Sequence, residues 1–255
     1  MVEWNGGFSL ILKKEIKMIY NELITNDLWL AEDKGERNKV LVYLKEKKFQ
    51  NVIDVGGAMG SWVDEYATAY FDCNTDTYLA DNPKKMFKGN LSEPEDWDEI
   101  LEYVSLHGKF DFANCTQTLE DIRNPSFVVK NLPKIAHEGY IDVPSKYLEL
   151  KYGNENPDDR DRVIWGLNGL IMGYTGHRWI FNMNEKCLEM YPKLPFIEHI
   201  TGFEEITSHA NPKYMLCFWW KDSIPYKIVN DDFIGPNPPS VYSMYRNGLK
   251  KGLNS

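Results

Sequence analysis

Cysteine is scarce and scattered. Cys73, Cys115, Cys187 and Cys217 form no Cys-x-x-Cys pair and have no histidine at ligand spacing, which argues against a disulfide framework and against a zinc site. They read as buried thiols, and no metal ligand set is expected. Long apolar runs are missing too: 43% of the residues are hydrophobic, yet no stretch reaches membrane-spanning length. The opening Met1-Val-Glu-Trp-Asn5 lacks a basic-then-apolar signal, so the expectation is a cytoplasmic chain with no membrane partner. Positive charge is short as well. Lys and Arg number 29 against 38 Asp and Glu, a formal net charge of −9. The one basic run, Lys45 to Lys48, reads as the solvated end of a helix, so no nucleic-acid partner is expected. Repeats and low-complexity tracts are absent.

What is present starts at Asn51-Val-Ile-Asp-Val-Gly-Gly-Ala-Met-Gly60. Val52, Ile53 and Val55 suit a buried strand. Gly56, Gly57, Ala58 and Gly60 supply the low bulk and backbone freedom needed where a ligand meets main chain. Ser61 stands where an N-cap would, and residues 62–70 are expected to form a helix whose first amides face the turn. A dinucleotide fingerprint wants glycine at the positions of Ala58 and Ser61, which disfavours a nicotinamide-dependent oxidoreductase. No Gly-Lys-Ser/Thr follows, so a phosphate loop fails as well. Asp54 lies inside the apolar strand, a costly place for a carboxylate without a partner.

Asp54-x-Gly56-x-Ala58-x-Gly60 resembles motif I of the class I S-adenosylmethionine-dependent methyltransferases, and segments further along resemble later motifs in the same order. Thr77-Tyr-Leu-Ala-Asp81 reads as a second strand ending in an acid, 81 − 54 = 27 positions on, where a carboxylate would take both ribose hydroxyls. Met86-Phe-Lys-Gly-Asn-Leu91 is similar to the turn at the adenine edge, with Asn90 in place of the commoner Asp and Leu91 beside it. Lys109 to Asn114 reads as a strand entering Cys115-Thr-Gln-Thr-Leu-Glu-Asp-Ile-Arg-Asn-Pro125, with Asp121 where many relatives carry histidine. Glu138 to Ser145 is similar to the fifth strand and its loop. The resemblance implies an α/β, Rossmann-like class I methyltransferase fold. Its central, mostly parallel seven-stranded sheet would have an antiparallel closing strand, helices on both faces and an acceptor-site insertion after the fifth strand. It also implies S-adenosyl-L-methionine as cofactor, held by Asp54, Gly56, Gly57, Ala58, Gly60, Asp81, Asn90, Leu91, Cys115 and Thr116.

At 255 residues the chain suits one such domain. Its expected parts are an N-terminal helical extension (1–35, with an amphipathic helix over 9–24), a cofactor-binding half (36–145, opened by a helix from Glu36 to Lys48), an acceptor-site insertion (146–200) and closing strands with a tail (201–255). Phe127 to Leu132 reads as a helix that Pro133 ends early. Tyr214 to Trp220 and Tyr226 to Val229 read as two strands of the closing edge. Asn237-Pro-Pro-Ser240 looks like the Pro-Pro motif of methyltransferases acting on base amino groups, but Ser240 is not aromatic and Pro pairs mark connectors.

A sulfonium methyl is already activated, so the protein has mainly to hold acceptor, methyl and sulfur in line. An alcohol acceptor gains from a base or a metal. His177, in Thr175-Gly-His-Arg-Trp-Ile-Phe181, falls where relatives place a His-x-x-Phe segment and is the candidate base; Glu120 is the second catalytic candidate, and Asp121 competes with it. Arg178 is a candidate clamp for an acceptor carboxylate or phosphate. Tyr147, Trp165, Tyr174 and Trp179 complete the candidate acceptor site, with faces suited to a sugar or planar ring. O-methylation of a glycan or small molecule leads; a protein or nitrogen acceptor stays open, as does a catalytically silent binding module.

Overall fold

The computed structural model describes residues 28–31, 33–57, 60–73, 84–151, 172–174, 176–184, 187–199, 202–203, 206–207, 215–229 and 245–250. The expected helix over 9–24, the strand Thr77 to Asp81, Ala58 and Trp165 lie outside them. A seven-stranded sheet has the order β1-β9-β6-β5-β2-β3-β4. Its strands are β1 (Leu28–Ala31), β2 (Val52–Val55), β3 (Ala69–Asp72), β4 (Lys85–Lys88), β5 (Phe110–Thr116), β6 (Ala136–Pro144) and β9 (Met215–Lys221). β2 to β6 run parallel, and β9 is antiparallel to both β6 and β1. β7 (Trp179–Asn184), β8 (Cys187–Pro192) and β10 (Tyr226–Ile228) make a second sheet of order β10-β8-β7.

Alternate residues of β2, β5, β6 and β9 feed two cores. Val52, Phe112, Tyr140, Cys217 and Trp219 pack with Val40, Tyr43 and Leu44 of helix α1 (Asp33–Lys47) on one face. Ile53, Val55, Ala113, Ile141, Leu216 and Phe218 face the other way. There they meet Ile100 of α2 (Asp98–His107), Val128, Val129, Leu132 and Ile135 of α3 (Pro125–Ile135), and Phe181, Leu188 and Met190 of the second sheet. Helices therefore cover both faces, as parallel strands buried on two sides require.

Four local expectations are corrected. Residues 62–70 form no helix: Ala67 N–H bonds Val63 O at 2.9 Å to close a single turn, and the β-favouring run Ala69-Tyr-Phe-Asp72 then enters the sheet beside β2. That strand adjoins the glycine strand. In place of an entirely helical extension, the apolar tetrapeptide Leu28-Trp-Leu-Ala31 is an edge strand, pairing Leu28 with Phe218 and Ala31 with Met215. Tyr226–Ile228 leaves the closing edge and runs parallel to β8 in the second sheet. Finally, α3 continues through Pro133 to Ile135, started by Asn124, whose side chain accepts from Phe127 N–H at 3.2 Å. Pro133, with no N–H to give to the carbonyl four residues back, costs the helix one bond close to its end.

Gly139 sits where β6 crosses between β5 and Trp220. A Cβ there would lie 2.2 Å from the Ala113 carbonyl oxygen and 2.7 Å from the Trp220 ring. Since the backbone of a central strand cannot yield, Gly139→Ala is expected to destabilise the fold by about 1–3 kcal/mol, read as a lower urea midpoint with an unchanged slope.

Candidate functional site

The strand order reverses between β2 and β5: the chain steps outward through β3 and β4, then returns to the far side of β2. Ligands of open parallel sheets bind at such a point, outside the carboxyl ends of the strands. Here those ends carry Gly56 and Gly57 after β2, and Gln117 and Thr118 after β5.

Asp54 and Asn114 are register partners on β2 and β5. The Asn114 amide donates to Asp54 Oδ1 at 2.7 Å and the Ser61 hydroxyl to Oδ2 at 2.7 Å. Ser61 is therefore a tie between the glycine turn and the strand rather than a helix cap. Only 1% of Asp54 is exposed, and burial pushes its carboxyl up to about 6, with Asp72 and Asp64 adding to the rise and the two hydrogen bonds opposing it. The turn folds closely over it: a Cβ on Gly57 would lie 1.9 Å from Asp54 Oδ2. Gly56, at φ +77°, presses on Thr118, which a Cβ would meet at 2.3 Å, so neither position accepts a side chain. Gly60, at φ +80°, ends the turn in open space. Thr116 Oγ1 accepts from Trp62 Nε1 at 3.1 Å, and the Arg37 guanidinium lies 5.4 Å from the Trp62 ring centre while bonding buried Asp142 at 3.1 Å.

The other expected cofactor residues fare unevenly. Asp72 ends the strand next to β2, 72 − 54 = 18 positions beyond Asp54. Asp81, the acid expected at the ribose, lies outside the described residues. The β-favouring aromatic pair Tyr70 and Phe71 before Asp72 is the strand signal in the sequence, hidden by the helix expected over the same residues. Asn90 Oδ1 accepts from Ser92 N–H at 2.9 Å, closing a turn, and the Leu91 carbonyl accepts from Trp97 Nε1 at 3.0 Å. The Cys115 side chain packs into the core with Ile53 and Val55, its thiol pushed well up by burial.

The loop after β5 also carries the second half of the site. Glu120 and Asp121 lie beside His177, with one donor atom from each residue within 4.8 Å of the others. His177 Nδ1 is 2.6 Å from Glu149 Oε1 and its Nε2 is 3.7 Å from Asp121 Oδ1. Glu149 is fully buried and its other oxygen bonds Lys193 Nζ at 2.8 Å, both side chains being shut off from solvent. With Nδ1 taken up by Glu149, the other ring nitrogen, Nε2, is left toward Glu120 and Asp121. Glu120 Oε2 is buried without a hydrogen-bond partner. Burial, with Asp121, Asp142 and Glu149 nearby, pushes the Glu120 carboxyl up to about 9. Of the expected acceptor residues, Tyr174 lies with its ring centre 4.9 Å from that of His177, and Arg178 N–H donates to the Glu120 carbonyl at 2.6 Å. Trp179 Nε1 donates to the Ile122 carbonyl at 2.9 Å, and Tyr147 packs into a separate cluster on the second sheet. Glu149 and Lys193 were not singled out in the sequence, where each looks like an ordinary surface charge.

No protein-family model matches the chain, and no curated protein does. Solved structures do. The methyltransferase domain of bacterial CtHen1 (CtHen1-CN) is 11% identical over 73% of this chain and 97% of that one, at a TM-score of 0.38. The small RNA methyltransferase HEN1 is 11% identical over 76% of this chain and 26% of that one, at 0.36. The N-terminal domain of EvdMO1 with SAH bound is 12% identical over 86% of this chain and 71% of that one, at 0.32. The first two are methyltransferases by name.

Ionising Asp54 in this surrounding costs stability. Its folded-state pKa, raised to about 6 from 3.8, means that the folded state binds the proton more tightly. Stability is then fully retained below pH 4 and lost as pH rises to about 6, by roughly 3 kcal/mol in total. Asp54→Asn removes the ionisation, and the Asn114 amide can turn its oxygen toward the new amide. Urea melts of the ligand-free protein at pH 5 and pH 7.5 should show the variant gaining on the wild type at the higher pH; an equal pH dependence in both would refute the assignment.

Proposed function

We propose that the chain is an S-adenosylmethionine-dependent methyltransferase acting on a hydroxyl of a sugar or other small-molecule acceptor. The observation that carries this reading is the single loop joining two unlike half-sites. The glycine turn over buried Asp54 lies against Thr118, and two residues further on Glu120 meets His177. One half suits a cationic donor, and the other an acceptor whose proton must leave.

On the donor side, Asp72 and Asp64 lie near enough to Asp54 to raise its cost of ionisation. They favour the sulfonium and ammonium charges of the methyl donor. Gly56, Gly57 and Gly60 let it approach the main chain, Ala58 belongs to the same turn, Thr116 borders it, and Asp72 accepts from the ribose hydroxyls. On the acceptor side, His177 Nε2 takes the proton of the acceptor hydroxyl, while Glu149 stabilises the imidazolium that forms. The acceptor oxygen makes its bond to the methyl carbon as the carbon–sulfur pair passes to sulfur. A methyl ether and S-adenosylhomocysteine result, and the proton then goes to solvent. Tyr174 and Arg178 border this half.

Calorimetry with S-adenosylmethionine is expected to give one bound equivalent. Asp72→Asn should weaken binding roughly tenfold to a hundredfold, the worth of charge-assisted hydrogen bonds, and Asp81→Asn should not. Affinity should also fall by roughly tenfold per pH unit below about 6, where Asp54 takes up a proton. Absence of binding, or preferential binding of NAD, would overturn the reading. For the acceptor, labelled methyl donor offered with sugars, small metabolites and short RNAs identifies the class, and label only in RNA would displace the small-molecule assignment.

A further inference from the structure

Around His177 acids outnumber bases. Glu120, Asp121, Glu149 and Glu198 are set against Lys193 and Arg178, and Lys193 is occupied with Glu149 at 2.8 Å and Glu198 at 3.4 Å. Glu120 therefore has no cation of its own among the described residues, and its Oε2 has no hydrogen-bond partner although the residue is only 1% exposed. A buried carboxyl oxygen in that position calls for a ligand.

We propose that Glu120, Asp121 and His177 Nε2 bind one divalent cation of the Mn2+ or Mg2+ type. Two carboxylates and one imidazole, with no thiolate, form a hard to borderline donor set. The donors lie within 4.8 Å of one another, whereas a cation at about 2.1 Å from each needs them no more than about 4.2 Å apart. Asp121, whose side chain is 58% exposed, has the rotamer freedom to close that difference. The imidazole is already oriented: Glu149 holds Nδ1 and Lys193 holds Glu149, the carboxylate–histidine arrangement that aims the other ring nitrogen at a ligand. Solvent and the acceptor oxygen complete the coordination. The cation then holds that oxygen and lowers the pKa of its hydroxyl. The proton leaves to solvent instead of resting on His177, and the bonds made and broken at the methyl group are unchanged. This refines the acceptor side proposed above; cation binding itself does not need the methyl donor.

The test uses the full chain, stripped with a chelator and titrated with MnCl2 while the electron paramagnetic resonance signal of free Mn2+ is followed, without donor. One bound equivalent is expected, displaced by excess Mg2+. His177→Gln and Asp121→Asn should each weaken it by at least tenfold, and Glu149→Gln by roughly tenfold, with thermal melts confirming that each variant is folded. Lack of a bound equivalent, or binding that both His177→Gln and Asp121→Asn leave intact, overturns the cation site. If donor binding persists and methyl transfer resists the chelator yet fails in His177→Gln, the simple base mechanism stands and the cation is rejected. If Mn2+ binds as described but S-adenosylmethionine does not, the cation site stands and the methyltransferase reading falls.

Discussion

The burial of carboxylates at one end of the sheet is the constraint on which the rest of this structure depends. Asp54, Asp142, Glu120 and Glu149 are each at most 1% exposed, and a carboxylate taken out of water is costly unless paired or hydrogen-bonded. Three are answered from within the chain. Asp54 has Ser61 and Asn114, Asp142 has Arg37 and Gln117, and Glu149 has His177 and Lys193. Those pairings tie the glycine turn to β5, helix α1 to β6, and the segment before β7 to the short helix α4 (Lys146–Glu149). Glu120 alone keeps an unanswered oxygen, and a cost left standing in a packed structure is a sign of function.

The loop after β5 links the electrostatics to the geometry. It leaves the sheet at Thr116, leans on Gly56 through Thr118, and is pinned at its far side by Arg178 N–H on the Glu120 carbonyl and by Trp179 on the Ile122 carbonyl. The glycine turn and the Glu120–His177 cluster are held by one short, doubly anchored segment. Methyl transfer between two bound molecules asks for such a scaffold, because its rate depends on holding oxygen, carbon and sulfur in line within a few tenths of an ångström.

Much of this was legible in the residues. Val52-Ile-Asp-Val-Gly-Gly announces a buried strand and a turn, and β2 is that strand; from β4 to Ser145 strands alternate with helices α2 and α3, as parallel crossovers require. His177, Glu120 and Asp121, singled out separately, meet in space. The misreadings have physical causes. Residues 62–70 contain one real helical turn, and the hydrophobic spacing does not show that it stops before Ala69. Once Ala69–Asp72 is a strand, the acid next to the glycine strand becomes Asp72. Leu28–Ala31 is too short to announce itself and becomes a strand only because β9 offers an edge. Glu149 and Lys193 were invisible because a buried ion pair has no local signature: the two lie 44 positions apart, and only the fold brings them under His177.

The most direct test of the central claim is a crystal structure of the chain with S-adenosylhomocysteine. The account predicts the ligand in the crevice at the carboxyl ends of β2 and β5, its backbone beside the turn from Gly56 to Gly60, its ribose hydroxyls on Asp72 and its sulfur facing His177. A crevice filled by other side chains, or the ligand bound elsewhere, would contradict it.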